Sequence, residues 1–289
     1  ETRILVGPIE WSHYGDTLLN FLFIQRDLLL TLEIQMNNIS KILAFLLLAL
    51  SFNIYSDNHE MTTFTPMESF SCNYNPGMDI EDDLRVTKNW NKYIDTTGIN
   101  YSAWLLHPYY TNDTEEHDVY WIGFTATWEE MGKASDIMLT KEGAKIQAQY
   151  DKVTTCAGHD IWGTETVRAS KRDPGDGYLT LSSCSLTDEA NPAAFEDADK
   201  KFNEYADSVG DENGSYRWYP GPGVKLEWSS EYDFLLASTT DSLSSWGSTA
   251  DRNVNGGGNQ VLTSLYGNLM QCEDMRVFKA TAARINSSN

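Results

Sequence analysis

The chain has 289 residues, 41% of them hydrophobic, enough for one large core or two ordinary ones and unlike a disordered composition. Its formal charge of −21 excludes partners bound through phosphate backbones or anionic headgroups, because both need Lys and Arg to neutralise negative charge. Nine Trp and fifteen Tyr supply more ring surface than a minimal core requires, which suits stacking against flat or apolar ligands.

Residues 1–35 read as an upstream, non-native or disordered segment, with an apolar stretch over 18–32. Met36 then opens a basic start through Lys41, an apolar run over 42–50 and a small-residue exit ending at Ser56, the order of a secretory signal peptide over 36–56. That apolar run is too short to span a bilayer. The expectation is a secreted or periplasmic protein whose mature part, after loss of five acids and three bases, carries −19.

From residue 66 the chain repeats itself. Cys72 and Cys184 each follow a short extended segment and lie 112 residues apart, and the same offset sets Trp90-Asn91-Lys92-Tyr93 on Phe202-Asn203-Glu204-Tyr205. Cys156 meets Cys272 at an offset of 116, where Tyr150 meets Tyr266, Ile161 meets Val277, Trp162 meets Phe278 and Arg168 meets Arg284. Between these anchors Trp104 is aligned with Trp218, and the apolar run 119–124 with 232–236.

The first copy, 66–169, is expected to run strand 66–73, helix 79–95, strands 100–108 and 117–126, helix 139–154 and strand 159–168. The second, 178–286, is expected to run strand 178–185, helix 192–208, strands 214–220 and 230–238, helix 257–270 and strand 273–284. Pro76-Gly77 breaks the chain before a helix at Asp79, and Asn191 with Pro192 marks the other start. Phe195, Ala198, Phe202, Tyr205 and Ala206 fall on one helical face, and the turn-rich stretch 170–177 links the copies.

This βαββαβ order is an α+β arrangement, two tandem ferredoxin-like repeats, and a pair of them in one chain resembles the dimeric α/β-barrel family in fused form. The resemblance covers about residues 66–286 and implies a pseudo-dimeric α/β barrel in which two sheets cover each other. The chain is also similar to uncharacterised secreted proteins of marine bacteria, through Trp90-Asn91-Lys92-Tyr93 and Cys156-Ala157-Gly158-His159, a likeness that implies no activity. In the fold so implied the first and fourth strands of each copy are antiparallel neighbours. That pairs Cys72 with Cys156 and Cys184 with Cys272, each loop closure contributing roughly 4 kcal/mol.

Neither Cys-x-x-Cys nor paired His spacing is present, and no metal or cofactor is implied. Asn255-Gly256-Gly257-Gly258-Asn259 lacks the Lys-Ser/Thr of a phosphate loop and reads as a flexible entry to a helix. The candidate ligand-binding residues are Asn91, Trp104, His107 and Tyr109 in the first copy and Asn203, Arg217 and Trp218 in the second, with Tyr219 beside them. They are expected to line the space between sheet and helices, where the dimeric α/β-barrel family commonly binds apolar or aromatic molecules. The recurring Asn91 and Asn203 either fasten a helix to a neighbouring loop or point a donor into a cavity, and Arg168 and Arg284 either close a carboxylate pocket or form salt bridges. The resemblance further implies that Asn91, Trp104 and His107 match by position the Trp, Asn and His of cofactor-free oxygenases and haem-degrading members.

Three functions follow as expectations. The first is a small-molecule binding protein for an apolar or aromatic ligand, acting as a monomer with internal pseudo-symmetry. The second is a cofactor-independent oxygenase, and the third is a purely structural or interaction module.

Overall fold

A computed structural model describes residues 63–112 and 115–286; the expected signal peptide and upstream segment lie outside them. Chain order is β1 Thr65–Tyr74, α1 Ile80–Asp95, β2 Ser102–Tyr110, β3 Val119–Phe124, α2 Trp128–Met138, α3 Lys141–Tyr150 and β4 Thr154–Arg168. It continues with β5 Gly177–Leu186, α4 Pro192–Ser208, β6 Gly214–Pro220, α5 Leu226–Ser229, β7 Phe234–Thr240, α6 Leu243–Val254, α7 Gly258–Tyr266 and β8 Met270–Arg284. The first half orders its strands β4-β1-β3-β2 and the second β8-β5-β7-β6.

Helix starts follow the sequence signals. Asp79 caps α1 by accepting from Glu81 N and Asp82 N, and Asn191 caps α4 by accepting from Ala194 N, with Pro192 in its first turn. Three helices are additional to the expected ones: α2, capped by Thr127, the four-residue α5, and α6, capped by Ser242. Only Met131 and Ala134 are buried in α2 and nothing is buried in α6, so a Gly- and Ser-containing stretch there resembles a loop.

The halves meet along their edges. β2 pairs antiparallel with β8, and β4 with β6, so all eight strands close into one antiparallel barrel. Instead of two sheets laid face on face, closure leaves no free edge strand and a single interior shared by both halves. Met67, Leu106, Ile122, Trp162, Trp218 and Phe278 pack inside the barrel. The outer face of the first half packs Trp90, Ile94, Tyr101 and Leu105 under its helices; the second half packs Ala198, Tyr266 and Leu269. Disulfides join Cys72 to Cys156 and Cys184 to Cys272, as expected, and each pair faces across β1–β4 or β5–β8.

Strand register corrects one alignment. Leu105 lies opposite Trp121, which lies opposite Phe70; Arg217 lies opposite Leu236, which lies opposite Ser182. With Cys72 and Cys184 as fixed points, Arg217 is the counterpart of Leu105, Tyr216 of Trp104 and Trp218 of Leu106. The pairing of Trp104 with Trp218 is thus off by two residues, a slip that keeps each side chain on its own face. By the same register the run 119–124 is matched by 234–239 rather than by 232–236.

Each seam is fastened by a reciprocal pair. Asn91 Nδ2 on α1 donates to Ala283 O at the end of β8 (2.9 Å), while Arg284 reaches back to Tyr101 O (3.1 Å) and Asp95 (2.8 Å). Asn203 Nδ2 on α4 donates to Val167 O at the end of β4 (2.9 Å), and Arg168 reaches Asn203 Oδ1 (3.2 Å), Asp207 (2.6 Å) and Asp211 O (2.7 Å). The two asparagines therefore fasten helix to strand across the seams, and the two arginines form the salt bridges that were one of their expected roles. Because each amide satisfies a carbonyl of the other half, Asn91→Ala and Asn203→Ala are each expected to cost about 1 kcal/mol. Urea unfolding should show this as a lower midpoint with an unchanged slope.

Candidate functional site

Alternation along each strand sorts the candidate residues. Trp104, Leu106, Tyr216 and Trp218 face the barrel interior; Leu105 and Arg217 face the helices. The expected site drew neighbours in sequence from both faces, and a strand cannot present consecutive side chains to one cavity. Trp104 donates from Nε1 to Gly175 O (2.9 Å) and, with Trp218, lines a cavity of about 570 Å³ at the end of the barrel crossed by the connector between the halves. His107 pairs through Nε2 with Tyr74 Oη (2.8 Å) on the helix-facing side, and burial beside Lys279 lowers its pKa. Tyr109 is exposed at the barrel end, edge-on to Tyr110 and Tyr178.

A second cavity, of about 800 Å³, lies where the sequence placed a site but is built by other residues. It separates the β4-β1-β3-β2 sheet from α1, α2 and α3, and opens to solvent past Leu139 and Ala157. Rings form its walls: Trp90 meets Tyr101 and Trp121 edge-on at centroid distances of 5.2 and 5.1 Å. Phe70 stacks on His159 at 3.9 Å.

Polar groups converge between these rings. Glu68, in the middle of β1 and only 8% exposed, accepts from Tyr101 Oη (2.6 Å) and from His159 Nε2 (2.9 Å). Trp121 Nε1 donates to Tyr101 Oη (3.0 Å), so the phenol is fixed from both sides. Burial, and then the Glu68 carboxylate, holds the Tyr101 hydroxyl protonated well above the usual tyrosine range. On α1, Asp83 is 3% exposed and accepts one hydrogen bond, from Thr87 Oγ1 (3.4 Å). Thr87 in turn meets Tyr150 Oη at 3.1 Å. Desolvation pushes the Asp83 carboxyl up to about 6, against a small opposing effect of Thr87.

In the second half a buried cation occupies the corresponding layer. Arg217, 1% exposed, occupies the space over β6 with bidentate bonds to Asp199, a bond to Glu165 Oε2 (3.1 Å) and its guanidinium 4.4 Å from the Phe195 ring centroid. Tyr266 Oη donates to Asp199 Oδ1 (2.8 Å) and Tyr219 Oη to Glu165 Oε2 (3.0 Å). Arg217 is thus the centre of an ion network, with its buried Nε left without a partner. Where the second half has Arg217, the first has Leu105.

No family model and no curated protein matches the chain. Among solved structures similar in chain path is a chlorite dismutase from Candidatus Nitrospira defluvii in complex with imidazole, 9% identical. It covers 75% of this chain and 90% of its own, with a TM-score of 0.43. Another is a candidate monooxygenase from Lactobacillus acidophilus, 8% identical over 76% of this chain and 94% of its own, with a TM-score of 0.48. A haem-binding protein from Thermus thermophilus is 8% identical over 75% and 91%, with a TM-score of 0.43. No residue role is carried over from them.

Glu68, Asp83, Tyr101, Trp121, Tyr150 and His159 are absent from the sequence-based candidates, yet two left a signal. Asp83 stands on the stripe Asp83, Thr87, Trp90, Ile94, an acid on the apolar face of its helix, and Glu68 interrupts an apolar strand. The remaining four look like ordinary core or surface residues until the fold brings them together.

Asp83 also gives a pH test. Its folded pKa lies above the unfolded value, so the folded state binds the proton more tightly. The stability this adds is full below about pH 4 and is lost as pH rises through about 6. Tyr74 and Tyr150, the titratable groups facing it, stay neutral throughout because burial raises both. Asp83→Asn should therefore stabilise the protein by about 2 kcal/mol at pH 8 and by little at pH 4, read from urea midpoints at the two pH values.

Proposed function

We propose that the protein is an exported binder of a small apolar or aromatic molecule, taken up between the sheet and helices of the first half. The observation that carries this reading is the cavity of about 800 Å³ walled by Trp90, Trp121, Phe70 and Tyr101, with a few polar groups gathered at Glu68 and Asp83. That size and that mixture of apolar wall and sparse, converging polar groups are what small-molecule sites have. A buried carboxyl with a single hydrogen bond costs stability, and such costs concentrate at sites kept for function. Two disulfides favour an oxidising compartment, in line with export. In this reading residues 66–169 and 178–286 are copies of one ferredoxin-like module, and the cavity lies in the first.

One observation favours a second reading, an enzyme of the cofactor-independent oxygenase type. Asp83, near 6 and lining the cavity, is poised to take a proton from a bound substrate at neutral pH. In that case Asp83→Asn abolishes turnover without loss of stability. His107 and Asn91, the sequence-based candidates for this chemistry, are held instead by Tyr74 and by Ala283 O.

Titrating the purified chain with a fluorescent aromatic probe should quench Trp emission saturably. Ser135→Trp, which fills the cavity from α2, should weaken that binding at least tenfold, whereas a Trp at exposed Lys133 should not. No saturable quenching, or equal affinity in both variants, contradicts the proposal.

A further inference from the structure

We propose that the molecule taken by the first-half cavity is an organic cation, an amine or quaternary ammonium carried on an apolar or aromatic body; this rests on the reading that the cavity binds a ligand.

The internal duplication supplies the argument. In the second half the space between sheet and helices is filled by a cation of the protein itself, the Arg217 guanidinium. It is received by the Asp199 carboxylate, the face of Phe195 and, through Asp199, the Tyr266 hydroxyl. Register places the same kinds of group in the first half. Tyr150 stands for Tyr266, Trp90 for Phe202, and the α1 positions Thr87 and Asp83 for Asp199 and Phe195, so the helix carboxylate has moved by one turn and remains in the same space. The guanidinium is missing, because Leu105 stands where Arg217 would be, and so is the second carboxylate, because Thr281 faces Leu105 where Glu165 faces Arg217. What is left is a receiver without its guanidinium, and Leu105 lines the opening.

Chemistry of the lining agrees. Glu68 and Asp83 contribute carboxylates, and among the described residues that line the cavity there is no lysine or arginine. Trp90 and Trp121 offer the ring faces that attract a cation most strongly. Arg284 lies 6.0 Å over Trp90 from the seam, but its charge is matched by Asp95 at 2.8 Å. An anionic ligand would meet the carboxylates of Glu68, Asp83 and Asp151, with no lysine or arginine in the lining. A neutral one could give Asp83 a hydrogen bond but would leave its charge unbalanced. A formal charge of −21 also concentrates cations near the surface before they bind.

The test uses three probes of one shape, 2-phenylethylamine, 2-phenylethanol and 3-phenylpropanoate, titrated into the full chain at pH 7.5 by calorimetry. The amine is expected to bind at least tenfold more tightly than the alcohol, and the propanoate more weakly than either. Asp83→Asn, which keeps the shape of the site, should lower amine affinity at least tenfold and change alcohol affinity less than threefold. Alcohol or propanoate binding as tightly as the amine overturns the cation assignment and leaves the binding reading standing, as does an amine affinity unmoved by Asp83→Asn. Saturable binding by none of the three overturns both.

Discussion

Each half of this protein ends in two strands with an unpaired edge, β2 and β4 in the first, β6 and β8 in the second. An open edge exposes a row of backbone donors and acceptors, and pairing each edge with the other half removes all of them at once. Closure decides nearly everything else. It gives every strand an inner and an outer face, so side chains one residue apart belong to different compartments. It also brings the last strand of each half beside the first helix of the other, where Asn91 with Arg284 and Asn203 with Arg168 complete the seam.

The two compartments differ in chemistry because their walls do. Inside the barrel, apolar side chains from all eight strands pack together, and a cavity lies at one end, beneath the connector. Outside it, each half has a layer between sheet and helices, and here the two halves differ. At one register position the halves differ sharply: Arg217 forms an ion network in the second layer, and Leu105 lines the cavity in the first. The open layer then holds its carboxylates at a cost. Glu68 is satisfied by Tyr101 and His159, whereas Asp83 has Thr87 alone.

Much of the fold can be read from the residues. The helix starts at Asp79 and Asn191 follow from caps that act locally, and both disulfides follow from the strand neighbours of the fold that the sequence resembles. The helices Trp128–Met138 and Leu243–Val254 are not legible, because few or none of their residues are buried. The site is less legible than the fold. Arg217 and Trp218, adjacent in sequence, end in different compartments, and the two-residue slip between Trp104 and Trp218 can be seen only in strand register. Asn91 and Asn203 recur for the sake of the seams, which explains their repetition without a ligand.

Amide hydrogen exchange at the two seams tests closure most directly. If one barrel spans both halves, amides bonded across β2–β8 and β4–β6 should exchange with the same slow, global opening as those of β1–β3 and β5–β7. Seam amides exchanging orders of magnitude faster than the strands within each half would mean two sheets that merely touch, and would contradict the account.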